Sequence, residues 1–153
     1  METQFTIIQQ NRKLLYHYLK NTPKEDLFQI PKGFNNNIWW NIAHVVVTEQ
    51  ILVYKLSGLP VNVPNQVLER YKKGTFPEGI PPKEEVEAVT KLLFSLPQKT
   101  KEDYLNGVFT NFEPYMTTPK VGLNSVEDAI AFNAFHEGLH LGSIMALARA
   151  VKN

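Results

Sequence analysis

The chain has no cysteine. That absence excludes a disulfide framework, a thiolate metal ligand and a cysteine nucleophile, so any thiol chemistry needs a thiol brought from outside. A metal would have to be held by histidine, carboxylate and water, a donor set that suits zinc, nickel, iron or manganese better than copper(I). No run reaches the roughly 18 apolar residues needed to span a bilayer. The opening Met1-Glu2-Thr3-Gln4-Phe5 lacks the basic stretch and apolar core of a secretory leader, so a cytoplasmic protein is expected. An excess of one charge is missing too: sixteen Lys and Arg stand against fifteen Asp and Glu, a net charge of +1. Spread along the chain, these charges leave no electrostatic footprint for nucleic acid or anionic lipid. The expected partner is a small-molecule substrate. No convincing alternating strand pattern, internal repeat or low-complexity tract interrupts the chain, and its 153 residues are the size of one ordinary domain, expected to span 1–153.

What is present is helical periodicity. Phe5, Ile8, Arg12, Leu15, Tyr16 and Leu19 recur at three-and-four spacing and predict a first helix from Glu2 to about Asn21, ended by Asn21-Thr22-Pro23. A linking stretch, Lys24 to Gly33, follows. Phe34-Asn35-Asn36-Asn37-Ile38-Trp39-Trp40 opens a second helix: one of the asparagines caps it, Phe34 and Trp39 are placed to staple its start, and it is expected to run to Ser57 before Gly58 and Pro60. Residues 59 to 82 are rich in proline and allow one short helix, about Asn65 to Lys73. Such a long crossover lets the second and third helices of a bundle run parallel.

The third helix starts with Pro82 in its first turn and buries Val86, Val89, Leu92, Leu93 and Leu96; Pro97 is expected to break or kink it before one or two further turns. Gly107 to Gly122, carrying Phe109, Phe112, Tyr115 and Met116, is too apolar for a simple solvated loop and is suited to lining or covering a pocket. A fourth helix opens at Asn124 or Ser125, where Ser125 and Asp128 stand in a near capping-box relation, and runs to about Val151. Its inward face carries Val126, Ala129, Ile130, Asn133, His136, His140, Ile144, Leu147 and Val151. The fold class is therefore all-α, a four-helix bundle with a long crossover between helices 2 and 3.

Chemistry concentrates in the histidines, of which there are only four. A single histidine on an apolar face is ordinarily a core residue satisfied by a hydrogen bond. His136 and His140 are a pair, four residues apart on one helical face, with Cβ atoms roughly 5–6 Å apart and able to reach one ion at about 2.0–2.1 Å. No aspartate among the inward positions accounts for them. His44 lies mid-way along the other strongly apolar helix, and bundle sites are built from side chains facing inward on neighbouring helices. Three neutral nitrogens with an open position form the arrangement expected of a metal that does chemistry. His17, between Tyr16 and Tyr18 at the edge of the first stripe, reads as a boundary residue.

His136-Glu137-Gly138-Leu139-His140 also spells H-E-x-x-H, the zincin protease signature. That reading fails, because no His, Asp or Glu follows His140, Gly142 sits one place too early for the extended motif, and no strand precedes the helix. Glu137 is left either as a residue supporting the metal ligands or as a glutamate on a helix flank. Asn41 and Asn133 each precede a histidine by one turn and are placed either to orient substrate or ligand or to cap and bridge helices. Trp40 shares the His44 face, as pocket wall or as core. None of these is assigned a catalytic role.

The segment Trp40-Asn41-Ile42-Ala43-His44, together with His136-x-x-x-His140-x-Gly142-x-Ile144, resembles the DinB/YfiT-like superfamily of metal-binding four-helix bundles, and the helix order extends the resemblance over almost the whole chain. The resemblance implies a zinc, nickel or similar ion held by His44, His136 and His140, and frequent homodimers. It also implies activity as a metal-dependent transferase that adds a low-molecular-weight thiol to an electrophile, or as a hydrolase or isomerase. The alternative is a non-catalytic bundle that binds a metal or a small molecule. Ser143 stands where the family often has glutamine. Lys and Arg are scarce around the three histidines, Arg149 and Lys120 being the nearest in sequence on either side of His136 and His140, which weighs against a charged thiol cofactor and so against the transferase reading specifically.

Overall fold

A computed structural model describes residues 1–153. Six helices follow in order: α1 (Glu2–Asn21), α2 (Lys24–Phe28), α3 (Ile38–Glu49), α4 (Asn65–Tyr71), α5 (Lys83–Leu105) and α6 (Val126–Ala150). The only strands are β1 (Tyr115–Met116) and β2 (Gly122–Leu123), a short antiparallel hairpin in the segment expected to be irregular. The chain is thus an all-α bundle built on α1, α3, α5 and α6. No helix is long and apolar enough to cross a membrane.

The helix ends follow local chemistry. Thr22 is extended ahead of Pro23 and stops α1. Pro23 then fixes the backbone for the one-and-a-half turns of α2, with Glu25 and Asp26 at its positive end, inside the stretch expected to be only a linker. Asn37 is the asparagine that caps α3: its side-chain oxygen accepts from the Trp40 amide at 2.7 Å, and its own amide donates to the Phe28 carbonyl at 2.9 Å. With the cap at Asn37, the positions that meet across the first turn are Asn36 and Asn41. A hydrogen bond from Asn41 Nδ2 to Asn36 Oδ1 (2.9 Å) takes the place expected for a Phe34–Trp39 staple. At the other end of the chain Ser125 caps α6 by accepting from the Asp128 amide, and Asp128 accepts in return from the amide of Asn124.

Two stretches depart from a regular α-helix. After Glu49 the chain widens into a π-helical turn over Gln50–Lys55, with the Leu56 amide reaching back five residues to the Ile51 carbonyl at 3.2 Å. The helix expected to run to Ser57 therefore changes type; Gly58, at φ +71°, ends it in the left-handed conformation that glycine tolerates. Pro97 does not break α5, which continues to Leu105, and Pro82 caps that helix rather than sitting in its first turn. The ring at 97 removes the amide that would bond the Leu93 carbonyl. Arg12 Nη1 donates to that carbonyl instead, at 3.3 Å.

The main core is α3, buried on every side from Ile38 to Val47 and packed against Leu15 of α1, Val89, Leu93 and Leu96 of α5, and Ile144 and Leu147 of α6. Burying each such leucine or isoleucine contributes about 1.5–3 kcal/mol relative to exposure. The crossover is not free: Val67, Leu68 and Tyr71 of α4 join the same core. A second cluster under the hairpin joins Phe5 and Ile8 to Leu52, Val53, Ala129 and Ile130.

Arg12, on the apolar stripe of α1, is 1 % exposed. Its guanidinium donates to Glu137 Oε1 (3.0 and 2.7 Å) and to Glu49 Oε2 (2.6 Å), while Thr100 of α5 donates to Glu49 Oε1 (2.6 Å) and Asn133 to Glu137 Oε1 (2.9 Å). Truncating one partner of such a network strands buried charge, at a cost of roughly 3–5 kcal/mol. Arg12→Leu is therefore expected to lose about that much in urea unfolding. Arg12→Leu combined with Glu49→Leu and Glu137→Met, which removes every charge, should recover most of it.

Candidate metal centre

The three histidines come together. His44 projects from the buried middle of α3, and His136 and His140 stack one turn apart on α6. One nitrogen from each lies within 4.8 Å of the other two, and the ring centroids are 4.5, 4.6 and 5.2 Å apart. Tetrahedral ligands at 2.0–2.1 Å from an ion sit about 3.3 Å from one another, so small side-chain rotations would close the cluster.

Hydrogen bonds set two of the tautomers. His44 Nδ1 lies 2.7 Å from the Tyr71 carbonyl, which can only accept, so this nitrogen carries the hydrogen and Nε2 keeps its lone pair. A Thr48 hydroxyl lies 3.3 Å from His44 Nε2. His140 Nδ1 lies 2.7 Å from Asn41 Oδ1. The Asn41 amide is oriented without ambiguity, because its Nδ2 donates to the Asn37 carbonyl (2.8 Å) and to Asn36 Oδ1. His140 Nε2 is therefore also free to ligate. His136 differs: its Nδ1 is buried without a hydrogen-bond partner. A buried ring nitrogen without a partner is costly in an ordinary core, and an ion bound by that ring is one way to offset the cost. Two anchored rings with lone pairs facing one another and a third ring with an unpartnered nitrogen make a group of donors that fits a divalent ion.

Burial keeps all three rings neutral. It lowers the pKa of His136 to about 2, helped by His140, His44 and Arg12, and that of His140 to about 4, helped by His44. It lowers His44 as well, against the opposing bond to Tyr71. Neutral imidazole is the ligating form. On its open side the cluster meets a cavity of about 450 Å³, walled by Leu52, Phe132, Leu139 and the hairpin residues Tyr115 and Thr117. The 107–122 segment lines the pocket through Tyr115, Thr117, Thr118 and Pro119, whereas its Phe109 and Phe112 pack against the second core cluster instead.

Among families of known proteins, the model of the DinB superfamily matches residues 7–144. The chain belongs to the DinB superfamily. No match is found among curated proteins. Membership in the DinB superfamily and the convergence of the three histidines together fit a protein that binds a divalent metal.

The other residues singled out in the sequence fall in different places. Asn41 holds the His140 ring and does not line the cavity. Trp40 stacks on His44 from behind, at 4.5 Å between centroids and 11° between planes, rather than walling the pocket. Asn133 and Glu137, both fully buried, turn away from the cavity into the Arg12 network. Burial pushes the Glu137 carboxyl above the usual range, against the pull of Arg12. Ser143 is exposed and donates to the Leu139 carbonyl of its own helix. His17 is exposed beside Asn21, as a boundary residue should be.

Sequence reasoning missed three contributors. The Tyr71 carbonyl is invisible in a sequence, since every residue has one. Lys73 enters the cavity wall from α4's end, far from each histidine along the chain. The Arg12–Glu49 pair did carry a signal, an arginine at a core position of an apolar stripe.

Two measurements test this geometry. Asn41→Ala removes the acceptor for His140 and is expected to weaken metal binding about 10- to 100-fold in a chelator competition. In metal-free protein, the unfolded histidines take up protons below about 6.5 while His140 and His136 stay neutral down to about 4 and 2. Stability is thus complete above pH 6.5 and falls as the pH drops toward 4, by up to about 1.4 kcal/mol per pH unit for each histidine. Urea unfolding of the metal-free protein between pH 7.5 and 5 should show the decline, and bound metal should steepen it.

Proposed function

We propose that this chain is a metal-dependent enzyme that acts on a small molecule, with zinc or nickel held by His44, His136 and His140, and that it transfers an external low-molecular-weight thiol or hydrolyses its substrate. The observation that carries this reading is the convergence of three imidazoles on the floor of an open cavity of about 450 Å³, a size typical of ligand sites. An ion bound by neutral nitrogens alone keeps its full positive charge and would lower the pKa of a thiol or water reaching its open side.

The chain's own residues supply the rest. His44 and His140 are held in position through Tyr71 and Asn41, so two of the three rings are preorganised on helices rather than loops. No carboxylate lines the cavity: Glu49 and Glu137 are both taken up by Arg12. A protein general base of the zincin kind is therefore missing from the wall, which favours chemistry in which the nucleophile is activated by the ion itself.

Purified protein is expected to contain about one divalent ion per chain by elemental analysis. His44→Ala, His136→Ala or His140→Ala should each release it while circular dichroism stays helical. Screening thiols with electrophiles, and simple esters and amides, in the presence of the identified ion should then reveal turnover that chelation abolishes. One tightly held ion without turnover on any of these would assign the bundle to metal or small-molecule binding instead.

A further inference from the structure

The wall of the cavity carries a pattern of charge that the metal does not account for. Lys73 is the only formally charged side chain on it, and no acidic residue faces in. Three neutral imidazoles contribute nothing to offset a divalent ion, so ion and lysine leave the space strongly positive. Most of the remaining wall is apolar, from Leu52 of the π-helical turn and from Phe132 and Leu139 of α6. Lys73 is exposed at the mouth, where its ammonium donates one hydrogen bond to Thr118 Oγ1 of the hairpin at 2.6 Å. Two further N–H donors remain available. Arg149 and Lys120, the nearest cations in sequence on either side of His136 and His140, are not on the wall.

We propose that the cavity takes a compact, largely apolar molecule bearing one carboxylate, with the carboxylate at Lys73 and Thr118 in the mouth and the apolar body against Leu52, Phe132 and Leu139. The proposal rests on the metal-centre reading for what the far end of the molecule meets, but the lysine and the apolar walls are present with or without an ion. Away from the histidines the wall carries one cation, and that end of the space matches one negative charge. A second anionic group at the Lys73 end would be left unpaired against apolar surface. Lys73 thereby acts as a specificity-determining residue, and the hairpin that presents Thr118 forms part of the binding site.

The test uses 3-phenylpropanoate and its uncharged amide as probes, titrated by calorimetry or amide NMR into the protein as purified and again after chelation, with metal content recorded for each sample. The acid is expected to bind about tenfold more tightly than the amide in both samples, a preference that weakens at high salt. Lys73→Met should erase the preference by weakening the acid alone, whereas Lys73→Arg should keep it. Equal affinity for acid and amide, or no binding of either, would overturn the proposal. So would an acid preference that survives Lys73→Met and vanishes with the ion, which would place the carboxylate on the metal. If no sample ever contains metal, the metal-centre reading fails, and the acid-to-amide ratio in the same samples still decides the role of Lys73.

Discussion

One guanidinium touches every long helix of this bundle. Arg12 belongs to α1, pairs with Glu49 of α3 and Glu137 of α6, and donates to the carbonyl that Pro97 leaves open in α5. Burial opposes its charge, but the two carboxylates hold its pKa above the ordinary value. A buried network of this kind is weak evidence for stability, since well-packed apolar residues often do as well. What it does provide is directional: hydrogen bonds at fixed angles set the rotation and height of four helices against each other, which apolar contacts alone specify loosely.

That rotation decides the site. His136 and Glu137 are consecutive, so they point about 100° apart around α6. With Glu137 pinned to Arg12, His136 and its one-turn neighbour His140 are turned toward α3 and the cavity. The π-helical turn after Glu49 adjusts the facing helix: Glu49 meets Arg12, while Thr48 and Leu52 on either side reach the cavity wall. Wide turns of this type are frequent at functional sites because they re-aim side chains without ending the helix.

The polar start of α3 supplies the second constraint. Asn37 caps the helix, Asn36 fixes the Asn41 amide, and Asn41 fixes the His140 tautomer, a chain of hydrogen bonds from a helix terminus to an imidazole on another helix. His44 is held from the crossover, through the Tyr71 carbonyl, with Tyr71 itself anchored by Trp39 and Glu85. A connection that looks like a proline-rich link along the chain is thus part of the machinery that orients a ligand. The electrostatic result is a pocket with three neutral rings on its floor and one lysine at its rim.

Much of this was legible from residues alone. Periodicity and capping chemistry are local, and they placed α1, α6 and the starts of α3 and α5; the His-x-x-x-His spacing and a lone histidine on the most apolar helix singled out the three imidazoles. The sequence by itself determined which residue types were present to bind a metal, and, through the missing cysteines, which were not. Only the tertiary structure decided that Glu137 serves Arg12 rather than the histidines, that Asn41 faces His140, that Tyr71 lends a carbonyl and that Lys73 stands at the cavity mouth. Those assignments depend on helix rotation and on contacts between residues tens of positions apart, which are set when buried polar groups across the whole bundle find partners together, and no local pattern encodes that joint solution.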